Sequence, residues 1–302
     1  MTESEYHVPV LLNSSVDEMI VDKDGVYVDV TFGGGGHSKY VLSQLENGRL
    51  VAFDQDVDAE SNLIKDDRFT FVRQNFSFMR SYLRMIPGVL PVDGVLADLG
   101  VSSHQFNTAE RGFSFRFDAD LDMRMNQDVV KTAKDVLMQY EEVDLRYVFK
   151  VYGELSNAHK IAYRVVKERE NKEIKTIEDL KGLMSGLYMP HKGNTFFAKL
   201  FQALRIEVND EMKVLENFLN QSTEVIKQGG RLSVITYHSL EDRMVKRFIK
   251  SGNIEGKQEK DFYGNLIRPF KEVNRKPIVP SEDEIKVNNR ARSAKLRIAE
   301  RL

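Results

Sequence analysis

Apolar positions in the first hundred residues fall into short runs separated by helical stretches. Val26 to Phe32 is β-branched and aromatic and breaks at four glycines, Gly33 to Gly36. Ser38 to Leu45 reads as a short helix, and Leu50 to Asp54 as a second strand. Phe69 to Arg73 and Val92 to Leu99 are a third and a fourth strand. Strands alternating with helices predict βαβ units and a parallel sheet, an α/β fold. From about Asn107 to Asn194 no core strand is predicted. Val129–Tyr140, Asp144–Val151, Glu154–Glu170 and Ile177–Leu187 read as helices, the last opened by a Thr176/Asp179 capping box. From Phe197 onwards Leu200, Leu204, Val208, Met212, Leu215 and Leu219 recur at three and four, one long apolar stripe ended by Gly229-Gly230. Arg231 to Tyr237 is a fifth strand and Glu241 to Ile249 a helix. Leu266–Ile278 and Ala294–Glu300 are expected to close the sheet as a hairpin. The pattern predicts an α/β domain in two parts, 1–106 and 197–302, with a helical insert at 107–196.

Composition narrows the class. The chain has 302 residues, 41% of them hydrophobic and 30% charged, which is ordinary for a globular protein. It has no cysteine, so thiolate nucleophiles, thiolate metal sites and disulfides are excluded. The acidic start, Met1 to Glu5, is unlike a signal peptide, and no apolar run reaches the roughly 18 residues a span needs. We therefore expect a cytoplasmic protein with no membrane partner. The net charge of -2 conceals an asymmetry: Arg243 to Leu302 carries 16 Lys and Arg against 8 Asp and Glu. A basic C-terminal fifth on an acidic body fits a surface that attracts phosphate, or simply a solvated basic tail.

The glycine turn follows a strand and opens a helix, where backbone can approach a ligand closely. Asp54 ends the second strand, placed to accept hydrogen bonds from ribose hydroxyls. The dinucleotide fingerprint G-x-G-x-x-G is not completed: its third glycine would fall on Ser38 or Lys39. The missing glycine disfavours a pyrophosphate, and with it a nicotinamide-dependent oxidoreductase. S-adenosylmethionine carries no phosphate and suits the turn better, with Asp29 placed to meet its ammonium group. Asp98, at the end of the fourth strand, should face the same crevice, and Phe76 is placed to cover an adenine.

Read together, these segments resemble the ribosomal RNA small subunit methyltransferase H family. The resemblance rests on His7–Leu12, Asp29–Ser38, Asp54-Gln-Asp56, Asp98–Gln105, Arg111–Phe115, Leu121–Met125, Phe201–Ile206, Tyr237–Arg243 and Arg290–Arg297, in order along essentially the whole chain. It implies a Rossmann-like class I methyltransferase sheet with an inserted all-helical domain. It also implies methylation of the exocyclic N4 of a cytidine in the decoding region of 16S rRNA. Implied contacts to S-adenosyl-L-methionine are Gly35, Gly36, His37, Asp54, Phe76, Asp98 and Gln105, with Gly34 in the same turn. The chain departs from the family pattern at Ala119-Asp120, Asn194–Leu200 and Gly153–Leu155, all in or near the helical insert.

Cytosine N4 is a poor nucleophile, because its lone pair is delocalised. An acceptor for its amino hydrogen helps, and Asp98 is the catalytic candidate. Asp98 is followed by Leu-Gly-Val and not by Pro-Pro-aromatic, so a stacking ring must come from Tyr237, Phe113 or Phe115. Arg111, Arg124 and Arg205, with Tyr237 and His238, are the expected substrate-side residues, the arginines as anion binders or as structural ion pairs. The small ribosomal subunit, or its 16S rRNA, is the expected partner, its backbone held by the helical insert and by Arg290, Arg292, Lys295 and Arg297. His238-Ser239 lacks the nucleophile elbow of a hydrolase, and His37, His104 and His238 form no recognisable metal motif. A non-catalytic RNA-binding assembly factor is the alternative of a different class.

Overall fold

A computed structural model describes residues 9–302. The His7-Val8 part of the first family motif lies outside the described residues. The strands are β1 (Val26–Asp29), β2 (Arg49–Asp54), β3 (Phe69–Arg73), β4 (Val92–Asp98), β5 (Ile226–Thr236), β6 (Phe270–Glu272) and β7 (Lys295–Arg301). The helices are α1 (Leu12–Asp17), α2 (Gly36–Gln44), α3 (Met79–Met85), α4 (Ser103–Asn107), α5 (Ala133–Gln139), α6 (Glu142–Tyr147), α7 (Ala158–Arg169), α8 (Ile177–Leu183), α9 (Gly193–Val208), α10 (Glu211–Val225), α11 (Ser239–Ser251) and α12 (Glu282–Val287). None is long and apolar enough to cross a membrane. The chain divides into two compact units, Met1–Gly100 with Met212–Leu302, and Val101–Glu211.

The first unit holds one seven-stranded sheet in the order β3-β2-β1-β4-β5-β7-β6. Strands β1 to β5 are parallel, and β7 runs antiparallel to both β5 and β6. The expected closing hairpin is therefore present, shortened to Phe270–Glu272 against Ala299–Arg301. Both faces of the sheet are buried, which is why its strands read as unbroken apolar runs instead of alternating ones. Val28, Val51, Phe53, Val95 and Val234 point to one core, and Tyr27, Leu50 and Leu96 to the other. Strand order reverses between β1 and β4. That reversal opens a crevice beyond the carboxyl ends of these two strands, where doubly wound sheets bind ligands. Gly229-Gly230 does not end a helix as expected: the helix stops at Val225, and the glycines lie in a bulge of β5. Gly229 has φ 79°, and a Cβ on Gly230 would lie 2.6 Å from the Asp93 carbonyl oxygen, so the bulge requires both.

The second unit is helical. Its only pairing outside helices, among the described residues, is a bridge between Asp120 and Thr176. Phe149, Ile161, Leu180, Leu200 and Leu204 centre its core. Thr176 and Asp179 form the expected capping box, and Thr132 with Asp135 forms another that starts α5 four residues later than periodicity predicts. Two boundaries differ from expectation. The helical unit extends to Glu211, not to 196, because Phe196, Phe197, Leu200, Phe201 and Leu204 of α9 belong to its core. The long apolar stripe is two helices, α9 and α10, broken at Asn209-Asp210, where Asp210 takes φ 50°.

Asn209 holds this break together. Its side chain accepts from Met125 N–H at 2.7 Å and donates to the carbonyls of Met123 and Arg205 at 2.8 and 2.9 Å. Asn209→Ala leaves these groups without their partner and should cost about 2 kcal/mol. Urea denaturation checks this, and an unchanged midpoint would contradict it.

Candidate active site

Three strand ends deliver carboxylates to the crevice of the first unit: Asp29 from β1, Asp54 from β2 and Asp98 from β4. Asp29 is 1% exposed and forms the floor of the crevice. One of its oxygens accepts from Thr31 N–H at 3.0 Å and the Thr31 hydroxyl at 3.4 Å, the other from the Ser38 hydroxyl at 2.7 Å. Thr31 Oγ1 in turn accepts from the Asp98 backbone N–H at 2.7 Å. Thr31 thus ties the end of β1 to the end of β4. Residue patterns gave no reason to select it, apart from its spacing of two from Asp29, which fits an Asx turn.

The glycine turn is shaped around Asp54. Gly33 and Gly35 take φ 49° and 75°, and Gly33 N–H donates to one Asp54 oxygen at 2.7 Å. The other Asp54 oxygen accepts from Asp56 N–H at 2.9 Å. Gly34 is the half-buried apex. A Cβ on Gly36 would run into the Pro9 ring, so the start of α2 needs glycine there. His37 is buried; its Nε2 bonds the Val10 carbonyl at 3.1 Å, which turns Nδ1 towards Asp98 Oδ2, 3.8 Å away. Phe76 follows β3 and packs edge-on against Phe218 at 5.5 Å, leaving it half-buried. Gln105 belongs to the other unit and is a helix cap: its side-chain carbonyl accepts from Ser102 N–H, and its own N–H donates to the Ser102 hydroxyl.

Asp98 meets a fourth group from β5. The Tyr237 hydroxyl donates to Asp98 Oδ1 at 2.7 Å, leaving Oδ2 on the His37 side. Burial pushes the Asp98 carboxyl up to about 6, against the pull of His37 and the Tyr237 hydrogen bond. Burial likewise raises Asp54 to about 6, opposed by the Asp56 and Gly33 N–H groups. Burial and the adjacent Asp98 charge raise the Tyr237 phenol well above its ordinary value, so it stays a proton donor.

Several expected substrate-side residues are committed elsewhere. Arg111 is buried and donates to the carbonyls of Arg124 and Met125. Arg124 forks onto Asp122 at 2.9 and 2.6 Å and binds the carbonyls of Gln127 and Val129. Arg205 forks onto Glu211 at 2.8 and 3.0 Å. The ion-pair alternative, with Asp118, Asp122 or Glu207 as the expected partners, describes Arg124 on Asp122, whereas Arg205 pairs with Glu211 instead. Arg111 instead organises a loop through backbone carbonyls. His238 caps α11 through Glu241 N–H and lies 3.1 Å from the Glu241 carboxylate. Phe113 is in the core of the helical unit, and Phe115 packs on Phe197 and Phe201 of that same unit, whereas Tyr237 stands at the crevice of the first unit, bonded to Asp98. In the basic segment, Arg297 is buried against Asp242 at 2.7 Å, with Lys295 on its other oxygen at 3.3 Å. Arg292 stays exposed.

A crevice that gathers buried carboxylates repels phosphate and favours a cationic ligand. S-adenosyl-L-methionine, with its sulfonium and ammonium charges, fits this donor set, and the sheet order with a reversed seventh strand completes a Rossmann-like methyltransferase of class I. Comparison with known proteins agrees. Residues 4–302 match the MraW methylase family. The chain is 57% identical over 303 residues to "Ribosomal RNA small subunit methyltransferase H" of Flavobacterium johnsoniae, covering 100% of this chain and 99% of that one. It is 56% identical over 300 residues to the protein of that name from Bacteroides fragilis, covering 99% and 98%. A solved rRNA methylase from Streptococcus thermophilus is more distant, with 12% identity, a TM-score of 0.42 and 98% of each chain covered. The chain belongs to the MraW methylase family, and its cofactor is S-adenosyl-L-methionine.

The raised Asp98 carboxyl has a stability consequence. The folded protein binds this proton more tightly than the unfolded chain, so its contribution is present below pH ~4 and is lost as pH rises through about 6. Asp98→Asn should therefore stabilise the cofactor-free protein at pH 7 by roughly 1–3 kcal/mol. Denaturant titrations at pH 5 and pH 7 test this; a gain no larger at pH 7 would show the charge is not under strain.

Proposed function

We propose that this enzyme methylates the exocyclic N4 of a cytidine in the decoding region of 16S rRNA, acting on the small ribosomal subunit in the cytoplasm. The observation that carries the chemistry is Asp98: a recessed carboxylate at the switch point, oriented by Tyr237 and by the Thr31 bridge. The acceptor is supported by full-length identity above one half to proteins named for small-subunit rRNA.

When bound, S-adenosylmethionine would supply an electrophilic methyl group on a sulfonium, whose sulfur would become a neutral thioether on transfer. The chain's own residues align the nucleophile and manage its proton. Asp98 Oδ2 accepts a hydrogen bond from the cytosine amino group, which localises the N4 lone pair as the new N–C bond forms and the C–S bond breaks. The amino proton passes to the carboxylate and then to solvent. Tyr237 keeps Oδ1 occupied, so Oδ2 is the oxygen that faces the base. Gly33 to Gly36, His37, Asp54 and Phe76 line the cofactor side. Gln105 acts from α4 by fixing the segment just after Asp98. A base must leave its stack to be reached in such a crevice.

Transfer of labelled methyl to 30S subunits lacking the modification, followed by nucleoside analysis, tests the reading. N4-methylcytidine is expected, reduced more than about 100-fold in Asp98→Ala. Label in another nucleoside would overturn the acceptor. The rate should also rise with pH through about 6, as the Asp98 carboxyl ionises. A flat profile from pH 5 to 8 would remove Asp98 from the chemistry.

A further inference from the structure

Beyond α11 the chain projects a short finger. Lys260 bridges to Leu266, Ile267 N–H donates to the Glu259 carbonyl at 2.9 Å, and Asp261 N–H to the Asn265 carbonyl at 2.9 Å. The Asp261 carboxylate closes the tip, accepting from Tyr263 N–H at 2.9 Å, Asn265 N–H at 2.8 Å and the Asn265 side chain at 3.0 Å. Gly264, at φ 87°, makes the turn. The base is tied down as well, since the Asn253 side chain bonds both the carbonyl and the N–H of Lys257. So rigid a turn would ordinarily carry polar residues. This one carries Phe262 and Tyr263, 98% and 85% exposed, with ring centroids 5.6 Å apart and planes at 87°.

The charge around the rings identifies what they meet. From Lys246 to Lys276 there are nine Lys and Arg against four Asp and Glu. Of the acids, Asp261 is spent on the turn and Glu272 on Lys250 and Arg268, which leaves exposed Glu255 and Glu259 against five exposed cations. Lys257, Lys260, Lys271, Arg275 and Lys276 are exposed and form no ion pair among the described residues. Two bare rings on a fixed turn, framed by unneutralised cations, suit an unstacked polyanion: rings take bases and lysines take phosphates. Carboxylates of a partner protein could meet those cations, but a single-stranded polyanion meets the cations and the bare rings together.

We propose that this finger is an RNA-binding element in which Phe262 and Tyr263 stack on unpaired bases while Lys257 and Lys260 hold the adjoining phosphates. The choice of ribosomal RNA as that polyanion rests on the function proposed above. The finger sets affinity for the RNA and takes no part in cofactor binding.

The test uses the full chain, with protein-free 16S rRNA and with 30S subunits lacking the modification. The double variant F262A/Y263A should bind both at least about tenfold more weakly, since each stacked base contributes roughly that factor. F262W/Y263W should restore binding. S-adenosylmethionine affinity should be unchanged in both, which also shows that the variants are folded. K257A/K260A should flatten the slope of log K against log salt by about 1.5. Unchanged RNA affinity in F262A/Y263A would overturn the proposal. So would weaker binding to assembled subunits alone, which would assign the rings to a ribosomal protein. A photo-crosslinker at position 262 gives an independent readout: attachment to RNA supports the finger, and attachment to protein overturns it. Wild-type enzyme that methylates 30S subunits while the variants bind normally defeats the finger only. A finger that binds rRNA in an enzyme unable to methylate it defeats only the proposed reaction.

Discussion

Three carboxylates gathered at the ends of β1, β2 and β4, Asp29 buried and Asp54 and Asp98 half-buried, are a cost that much of the crevice is arranged to contain. Burial penalises each charge, and their mutual repulsion adds to it. The sequence around them supplies donors at short range: Ser38 and Thr31 for Asp29, Gly33 and Asp56 for Asp54, Tyr237 for Asp98. The left-handed glycines let the turn aim an N–H at Asp54, and Thr31 relays between neighbouring strands. What the donors leave uncompensated keeps two carboxyl groups near 6. A cationic ligand would offset part of that electrostatic cost. Such a trade between stability and activity is usual where function demands buried charge.

Much of this was legible along the chain because the signals were local. Strands buried on both faces announce themselves as apolar runs, and Gly33–Gly36, Asp54 and Asp98 sit at strand ends that those runs delimit. Where contacts are distant, local patterns do not reveal them. Nothing near Asn209 shows that its amide will serve Met123 and Met125, so an apolar stripe that continues through it looked like one helix. Arg111, Arg124 and Arg205 have the composition of anion binders, and only the fold reveals that backbone carbonyls, Asp122 and Glu211 already occupy them. Arg297 and Lys295 belong to a basic stretch by sequence but to an ion pair with Asp242 by structure. Charge counts along a chain do not separate cations already neutralised from those still available.

Phe113 and Tyr237 make the same point for aromatics. Both lie within motifs of the family resemblance, yet one ring fills the helical core and the other bonds a carboxylate. The difference lies in which unit each segment joins, a property of the whole contact network.

The first unit is assembled from two stretches of chain, and its central pair, β4 with β5, joins residues on either side of the entire helical unit. Until that unit folds, closing β4 onto β5 means closing one long flexible loop, whose entropic cost grows with loop length. Helical units rich in local contacts form quickly, whereas parallel pairings between distant segments are slow. The helical unit therefore does more than separate the two halves of the sheet in sequence. A helical unit already folded shortens the loop that must close to bring β5 to β4. The crevice, which needs Tyr237 from beyond β5 beside Asp98 from β4, takes shape only once that distant pairing has closed.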